Sequence, residues 1–356
     1  MKRNNLLVVG LGQCGCNLAD NLRGVSNRYT TLYINSSIGD IKGLQYANLD
    51  NNVFIFSGAD GAGRNRHKAK ELLNVDKMRL ASFIKNFNQF KYMLIFTSLG
   101  GGTGSGIFNE FISMAKTIIP TLIINVVCVI PSIKENMLEL KNTIECFSEM
   151  NKTSALINDV KYVSNDNGYD YRDINSKIVK DINLAYSMTG HSSIGSIDEN
   201  NLTNVTTSKG YGVILKLDNS FDNIVEAIEQ AKRESVFEIP QNLKCSYGAI
   251  QISNNFNVSE VRDIIDVKST LYMTTGKKDV ICLGGCNFPM SCIENIESAI
   301  KELEIRQESE DDVRFKFSPK FKISSPVINN DTFKDVNRFI DDDDIDELFN
   351  EDNYNF

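Results

Sequence analysis

The chain of 356 residues has no tryptophan, only two histidines and six prolines, and no C-x-x-C pair among its eight cysteines. A zinc site on Cys282, Cys286 and Cys292 lacks a local fourth ligand, and His67 and His191 lie far away in sequence, so the pattern argues against metal ligation and for reduced thiols. Long apolar runs are missing too. Thr121 to Ile130 is the longest, about half of the ~20 residues that a membrane span needs, and Asn125 interrupts it. The N-terminal MKRNNLLVVGLGQCG is too short in its apolar part and too glycine-broken for a signal peptide. A cytoplasmic location is the expectation. With 42% hydrophobic and 24% charged residues, the composition excludes disordered, collagenous and disulfide-framework classes.

Formal charge is −8, from 38 basic and 46 acidic residues, and it is concentrated. Phe339 to Phe356 carries eight acids (Asp341 to Asp344, Asp346, Glu347, Glu351, Asp352) and no base, which leaves the rest of the chain neutral. Just upstream, RFKFSPKFK (Arg314 to Lys322) interleaves four cations with phenylalanine. Phosphate contacts need clustered Lys and Arg, so direct nucleic-acid binding by the whole chain is not expected.

The first 130 residues alternate strand-like and helix-like segments, the order of a parallel sheet wound on both faces. Leu6 to Gly10, Thr30 to Asn35, Asn52 to Ser57, Tyr92 to Ser98 and Leu122 to Ile130 are strand candidates, apolar enough to be buried on both sides. Asn17 to Leu22, Lys68 to Phe87 and Ile107 to Lys116 carry helical spacing. Ile174, Ile178, Ile182 and Ala185 form one stripe along a long mid-chain helix, Asp170 to Met188. Beyond it, GYGVILKL, CSYGAIQIS and KDVICLGGC read as strands, and Asp222 to Val236 and Cys292 to Leu303 as helices. The expected class is α/β: a doubly wound parallel-sheet domain (1–168), a connecting central helix (169–190), a smaller α+β C-terminal domain (191–310) and a charged tail (311–356) with one short amphipathic helix at Asp331 to Phe339.

Three glycine loops follow strands. Gly10-Leu11-Gly12-Gln13-Cys14-Gly15 matches the dinucleotide fingerprint, but that reading expects an acid near the end of the second strand, and TTLYIN ends in Asn35, Ser36 and Ser37. Leu99 to Gly106, LGGGTGSG, joins a buried strand directly to a helix. Its backbone can turn consecutive N–H groups on one anion, the helix N-terminus adds positive charge, and Thr103 and Ser105 offer hydroxyls. Without a lysine it is not a Walker loop. The third, Gly58 to Arg66, carries Gly61, Ala62 and Gly63, with Arg64 and Arg66 as added charge for a terminal phosphate. Three such loops at one sheet edge suit a chain of phosphates.

GGGTGSG at Gly100 to Gly106 resembles the tubulin/FtsZ signature, GQCG at Gly12 to Gly15 the tubulin first loop, and FSGADGAGRN at Phe56 to Asn65 the tubulin third loop. The similarity runs from about Leu6 to Leu303, strongest in the first half, and the short C-terminal half with a charged tail looks most like the phage- and plasmid-borne TubZ group. The resemblance implies GTP/GDP and Mg²⁺ as ligands. Gly12, Gln13 and Cys14 would line phosphates and base with Asn17 close by, Asn35 would meet ribose or base, and Gly61, Ala62 and Gly63 the γ-phosphate. Gly101, Gly102, Thr103 and Gly104 would hold the α and β groups, and Pro131 and Glu135 the ribose; the arginine that FtsZ places four residues on is Glu139 here. Asn158 and Asn175 would read guanine, whose paired donors and acceptor suit carboxamides, and Tyr171 would stack on it. No metal ligand is identifiable, although Asp60 lies on the third loop.

The resemblance also implies a split active site, with the water-orienting acid lent by the next subunit. Asp198 is the first candidate and Glu199 the second, while Asn201 falls at the second acidic position; a helix-capping role for Asp198 is the competing expectation. Such a site couples hydrolysis to head-to-tail filament assembly. A TubZ-like role would be segregation of plasmid or phage DNA through a DNA-binding, TubR-like adaptor docking on the C-terminal tail, with no membrane partner. An FtsZ-type division protein and a non-hydrolysing structural filament are the alternatives.

Overall fold

The structure, a computed structural model, describes residues 5–58, 60–166, 170–253, 256 and 260–314. Its first half runs β1 (Leu6–Leu11), α1 (Gly12–Val25), β2 (Thr30–Asn35), α2 (Ile38–Lys42), β3 (Val53–Ile55), α3 (Arg66–Lys85), β4 (Tyr92–Ser98), α4 (Thr103–Ile118), β5 (Ile123–Ile130), α5 (Met137–Thr153) and β6 (Asp159–Ser164). Then come α6 (Tyr171–Ala185), a small hairpin β7 (Gly190–Ser192) and β8 (Gly195–Ile197), α7 (Glu199–Thr206), β9 (Gly210–Lys216) and α8 (Ile224–Glu234). β10 (Lys244–Ile252), α9 (Val261–Ile264), β11 (Asp266–Thr275), β12 (Val280–Cys286) and α10 (Ser291–Arg314) complete the described chain.

One ten-stranded sheet runs in the order β11-β10-β12-β9-β6-β5-β4-β1-β2-β3. The six strands β1 to β6 are mutually parallel, and β12 is antiparallel to both of its neighbours. Alternation along β1 shows why the run had to be apolar throughout. Leu7 and Val9 enter one core beneath α3, α4 and α5, whereas Leu6 and Val8 enter a second beneath α1 and α6. A strand covered on both faces has no polar side to offer. The two halves meet in the pair β6–β9, registered only through Asp159↔Gly210 and Val160↔Tyr211.

Contacts divide the chain at Arg306: Met1–Arg306 forms one unit, and both residues 168 and 190 lie within it. The second unit, Gln307–Phe356, is described only through the end of α10. That helix continues eleven residues past the expected end at Leu303. KELEIRQESEDDVR is rich in Glu and also carries Arg, Lys, Leu and Gln, all strong helix formers, and its charge disguises it as tail. The expectations for 315–356, including the helix at Asp331 to Phe339 and the adaptor docking on the tail, lie outside the described residues. Several described elements went unread in the sequence, α5, β6 and β11 among them. α5 hides its apolar positions (Leu140, Cys146, Met150) among polar ones, β6 contains Asp159 and Lys161, and β11 is a largely solvent-facing edge strand.

Candidate functional site

Strand order reverses at β1, between β2 and β4, and open α/β sheets hold ligands outside the carboxyl ends of strands at such a switch. The first two glycine loops flank this point. Gly12 has φ 68, and a β-carbon on it would stand 2.7 Å from the amide nitrogen of Gly104. One on Gly104 would meet the Leu11 carbonyl at 2.6 Å. Only bare backbone lets the two loops touch.

That contact brings together the N-termini of α1 and α4, and both start without a side-chain cap. By contrast α3, α5, α6, α7 and α8 are capped by Asn65, Asn136, Asp170, Asp198 and Asn223. An uncapped helix start presents unpaired N–H groups and the positive end of the helix dipole. Two converging starts make a site for an extended anion.

Side chains brace this mouth from behind. Ser36 and Thr103 share a hydroxyl hydrogen bond of 2.6 Å, both buried. Asn142 on α5 donates to the carbonyls of Arg64 (2.8 Å), Gly100 (3.1 Å) and Gly101 (3.3 Å), and so pins the second and third loops together. Arg66 is buried and bonded to Glu145 (2.8 Å), Glu149 (2.7 Å) and the Ser105 carbonyl (3.3 Å). It is therefore a brace and not an added charge for phosphate; its position on the first turn of α3 turns it inward. Ser36, Asn142 and the role of Arg66 were missed, since each depends on a neighbour far away in sequence.

Residues 5–170 match the Tubulin/FtsZ family, GTPase domain. The tubulin-like protein TubZ of Clostridium botulinum C phage is 25% identical over 304 residues, 84% of each chain. The solved structure of the tail-truncated TubZ of C. botulinum phage c-st superposes with a TM-score of 0.79 at 23% identity, covering 86% of this chain and 100% of that one. The chain has the tubulin/FtsZ fold. A GTPγS-form protofilament of TubZ from Bacillus thuringiensis serovar israelensis gives a TM-score of 0.70 at 16% identity, covering 86% and 94%.

Within this tubulin/FtsZ fold most of the expected residues gather at the mouth. Gln13 and Cys14 start α1, Cys14 half-buried with its thiol pushed up to about 12 by burial. Gly61 donates its amide to the Ser36 carbonyl at 2.9 Å, followed by Ala62 and Gly63. Gly101, Gly102, Thr103 and Gly104 form the start of α4, with Pro131 packed against Gly100. Asn35 is buried and already engaged, accepting from the Ser36 amide (2.8 Å) and donating to Asp40 (3.1 Å). Asp60 is exposed, its carboxylate 3.5 Å from the Ser37 hydroxyl. Asn17 and Asn175 line one cavity of 520 Å³ between α1 and α6, together with Asp20, Asn21, Arg172 and Ser176. At the start of α6, Tyr171 donates to Glu135 at 2.6 Å. This bond, then Glu139, holds Glu135 below the usual carboxylate range, while burial and Glu135 push Glu139 up.

Asn158 is a correction. It precedes β6, donating its amide to the Ile124 carbonyl at 2.7 Å. That is the amino end of a parallel strand, about 17 Å along β6 from the loops by the rise per residue, so it does not join Asn175. The sequence offered no β6, and without that strand the end on which Asn158 falls was invisible. Asp198, Glu199 and Asn201 also lie away from the glycine loops of their own chain, past the far end of α6. Asp198 caps α7: its carboxylate accepts from the Asn201 amide at 2.7 Å, and the Asn201 side chain accepts from the Asp198 amide at 3.0 Å. Among the described residues no helix is long and apolar enough to cross a membrane.

Proposed function

We propose that the chain binds GTP at the mouth between α1 and α4, polymerises head to tail, and hydrolyses GTP at the contact between subunits. The observation that carries this reading is the pair of uncapped helix starts held together by glycine contact, in a fold whose matched family is one of GTPases. Gly12, Gln13, Cys14, Gly61, Ala62, Gly63 and Gly101 to Gly104 hold phosphates; Asn17, Asn35, Pro131, Glu135, Tyr171 and Asn175 hold ribose and base. Mg²⁺ neutralises charge on the phosphates when bound. Asp60, exposed on the third loop, offers a hard carboxylate oxygen of the kind such an ion takes.

Residues 1–168 form the nucleotide domain, 169–190 the connecting helix, 191–310 the domain that lends Asp198 and Glu199 to the next subunit, and 311–356 the tail. Separation of these acids from the chain's own glycine loops supports a shared site. The likeness to TubZ supports segregation of plasmid or phage DNA in the cytoplasm, with a DNA-binding, TubR-like adaptor on the tail. Truncation after Arg314 then preserves GTP turnover and abolishes adaptor recruitment.

A second reading has one observation in its favour. Asp198 and Asn201 satisfy each other as a capping box, which suits a filament that binds nucleotide without cleaving it. Light scattering and phosphate release, followed together after GTP and Mg²⁺ are added, separate the two. Turnover rising above a critical concentration supports the first. Assembly without turnover supports the second, and protein that stays monodisperse or binds no guanine nucleotide overturns both.

A further inference from the structure

Among the described residues Arg64 is the one non-glycine with positive φ, at 60°. Left-handed backbone strains a residue bearing a β-carbon, and such strain persists only where surrounding contacts enforce it. Those contacts are visible. Asn142 holds the Arg64 carbonyl at 2.8 Å, and the Arg64 backbone lies so near Gly102 that a β-carbon there would be 2.8 Å from the Arg64 Cα. Gly102 is the residue before α4. Arg64 is thus clamped beside the helix start that faces the anion, at a place where glycine would be easier.

Its side chain points to the reason. The guanidinium Nε lies 3.0 Å from Glu139 Oε1, with the arginine 55% exposed and the glutamate 14%. Glu139 is already beside Glu135, which accepts from Tyr171. Two carboxylates therefore border the mouth beside the half-exposed guanidinium of Arg64. An incoming terminal phosphate placed near them is repelled unless a cation stands between, and guanidinium, with its planar fork of donors, suits phosphate oxygens as well as carboxylate. We propose that Arg64 exchanges Glu139 for the terminal phosphate of a nucleoside triphosphate, and so is the residue by which the site distinguishes triphosphate from diphosphate.

The inference rests on the guanine-nucleotide reading above, and the experiment separates the two. Dissociation constants for GTPγS and for GDP, each with Mg²⁺, are measured by calorimetry on the full chain and on Arg64→Gly, Arg64→Lys and Glu139→Gln. Arg64→Gly suits the left-handed backbone, so its melting temperature holds or rises. It should weaken GTPγS about tenfold or more, the worth of a charge-assisted hydrogen bond, and alter GDP little. Arg64→Lys should recover part of the loss, and Glu139→Gln, by freeing Arg64, should shift the GTPγS/GDP ratio the opposite way. Equal effects on both nucleotides, or none, overturn the proposal while leaving the nucleotide reading intact. Wild-type protein that binds neither nucleotide overturns both.

Discussion

The two ends of the central strands carry polar clusters of opposite character. At the carboxyl ends, backbone amides of α1 and α4 are left without side-chain caps, and polar side chains brace them without filling the mouth. At the amino ends, Asp159 and Lys161 form an ion pair that is almost wholly buried. Asn125 stands beside it in register, donating to the Thr206 carbonyl (2.7 Å) and the Tyr186 hydroxyl (3.2 Å). Gly212 leaves the room: a β-carbon there would overlap both charged groups. The open cluster is built to accept something from outside, and the closed one joins β5, β6, α6 and α7 within the chain. Polar residues inside a sheet are therefore not all of one kind, and the question is whether their partners are internal.

The largest test falls on the closed end. Lys161→Met leaves the Asp159 carboxylate buried without its partner, which costs about 3–5 kcal/mol and should shift the urea midpoint accordingly. Replacing both, Asp159→Leu with Lys161→Met, should recover most of the loss, because a matched apolar pair removes the desolvation burden. Nucleotide affinity per folded molecule should be unchanged in either. A variant that keeps its stability and loses nucleotide would erase the distinction between the ends.

A smaller effect is expected on α6, which links them. Burial raises the Asp181 carboxyl from its ordinary value of 3.8 to about 6, against the pull of Lys216, Lys177 and Lys180. A raised carboxyl pKa favours the folded, protonated form. Its contribution is complete below pH 3.8 and is lost as pH rises through about 6. Above that the ionised group weakens the fold, on the order of 1–2 kcal/mol after allowance for partial solvent access. Asp181→Asn should therefore raise the melting temperature clearly at pH 8 and hardly at pH 4. An equal gain at both values would show that the charge is not responsible.

The open end is probed by a methyl group. Gly101 is the loop glycine whose β-carbon would meet nothing within 4 Å, and its φ is not positive. Gly101→Ala should leave stability within about 0.5 kcal/mol. The same methyl intrudes where a phosphate would lie against the α4 amides, so triphosphate affinity should fall about tenfold, or about 1.4 kcal/mol. Calorimetry and thermal melts on one sample read both quantities. Unchanged affinity would mean that the cradle is not where the nucleotide binds.

This contrast also explains what could be read without coordinates. Strands β1, β2, β4 and β5 announce themselves because burial on both faces leaves no choice but apolar residues, and the stripe Ile174, Ile178, Ile182 marks α6 by period alone. The glycine loops are legible for a related reason: backbone that must approach backbone excludes side chains, as at Gly12 and Gly104. What escaped depends on pairing across the chain. β6 carries Asp159 and Lys161, which look exposed until each is seen to neutralise the other, and with β6 unread Asn158 was assigned to the wrong end. Asn142 and Arg66 are ordinary surface residues by sequence, and only the α5 and α3 contacts make them braces of the mouth.

The smallest expected change concerns the residue on which the two functional readings divide. Asp198 accepts from the Asn201 amide as the cap of α7, and asparagine caps as well as aspartate does. Asp198→Asn should therefore leave stability nearly unchanged, whereas Asp198→Ala should lose about 1 kcal/mol. Hydrolysis asks something different of the same atoms, because orienting an attacking water needs the carboxylate and an amide is a poor substitute. If Asp198 serves the next subunit, both variants assemble with GTP and neither releases phosphate, so activity and stability part company in the asparagine variant alone. If Asp198 is only a cap, Asp198→Asn retains full turnover, and the acid lent across the contact must be sought at Glu199.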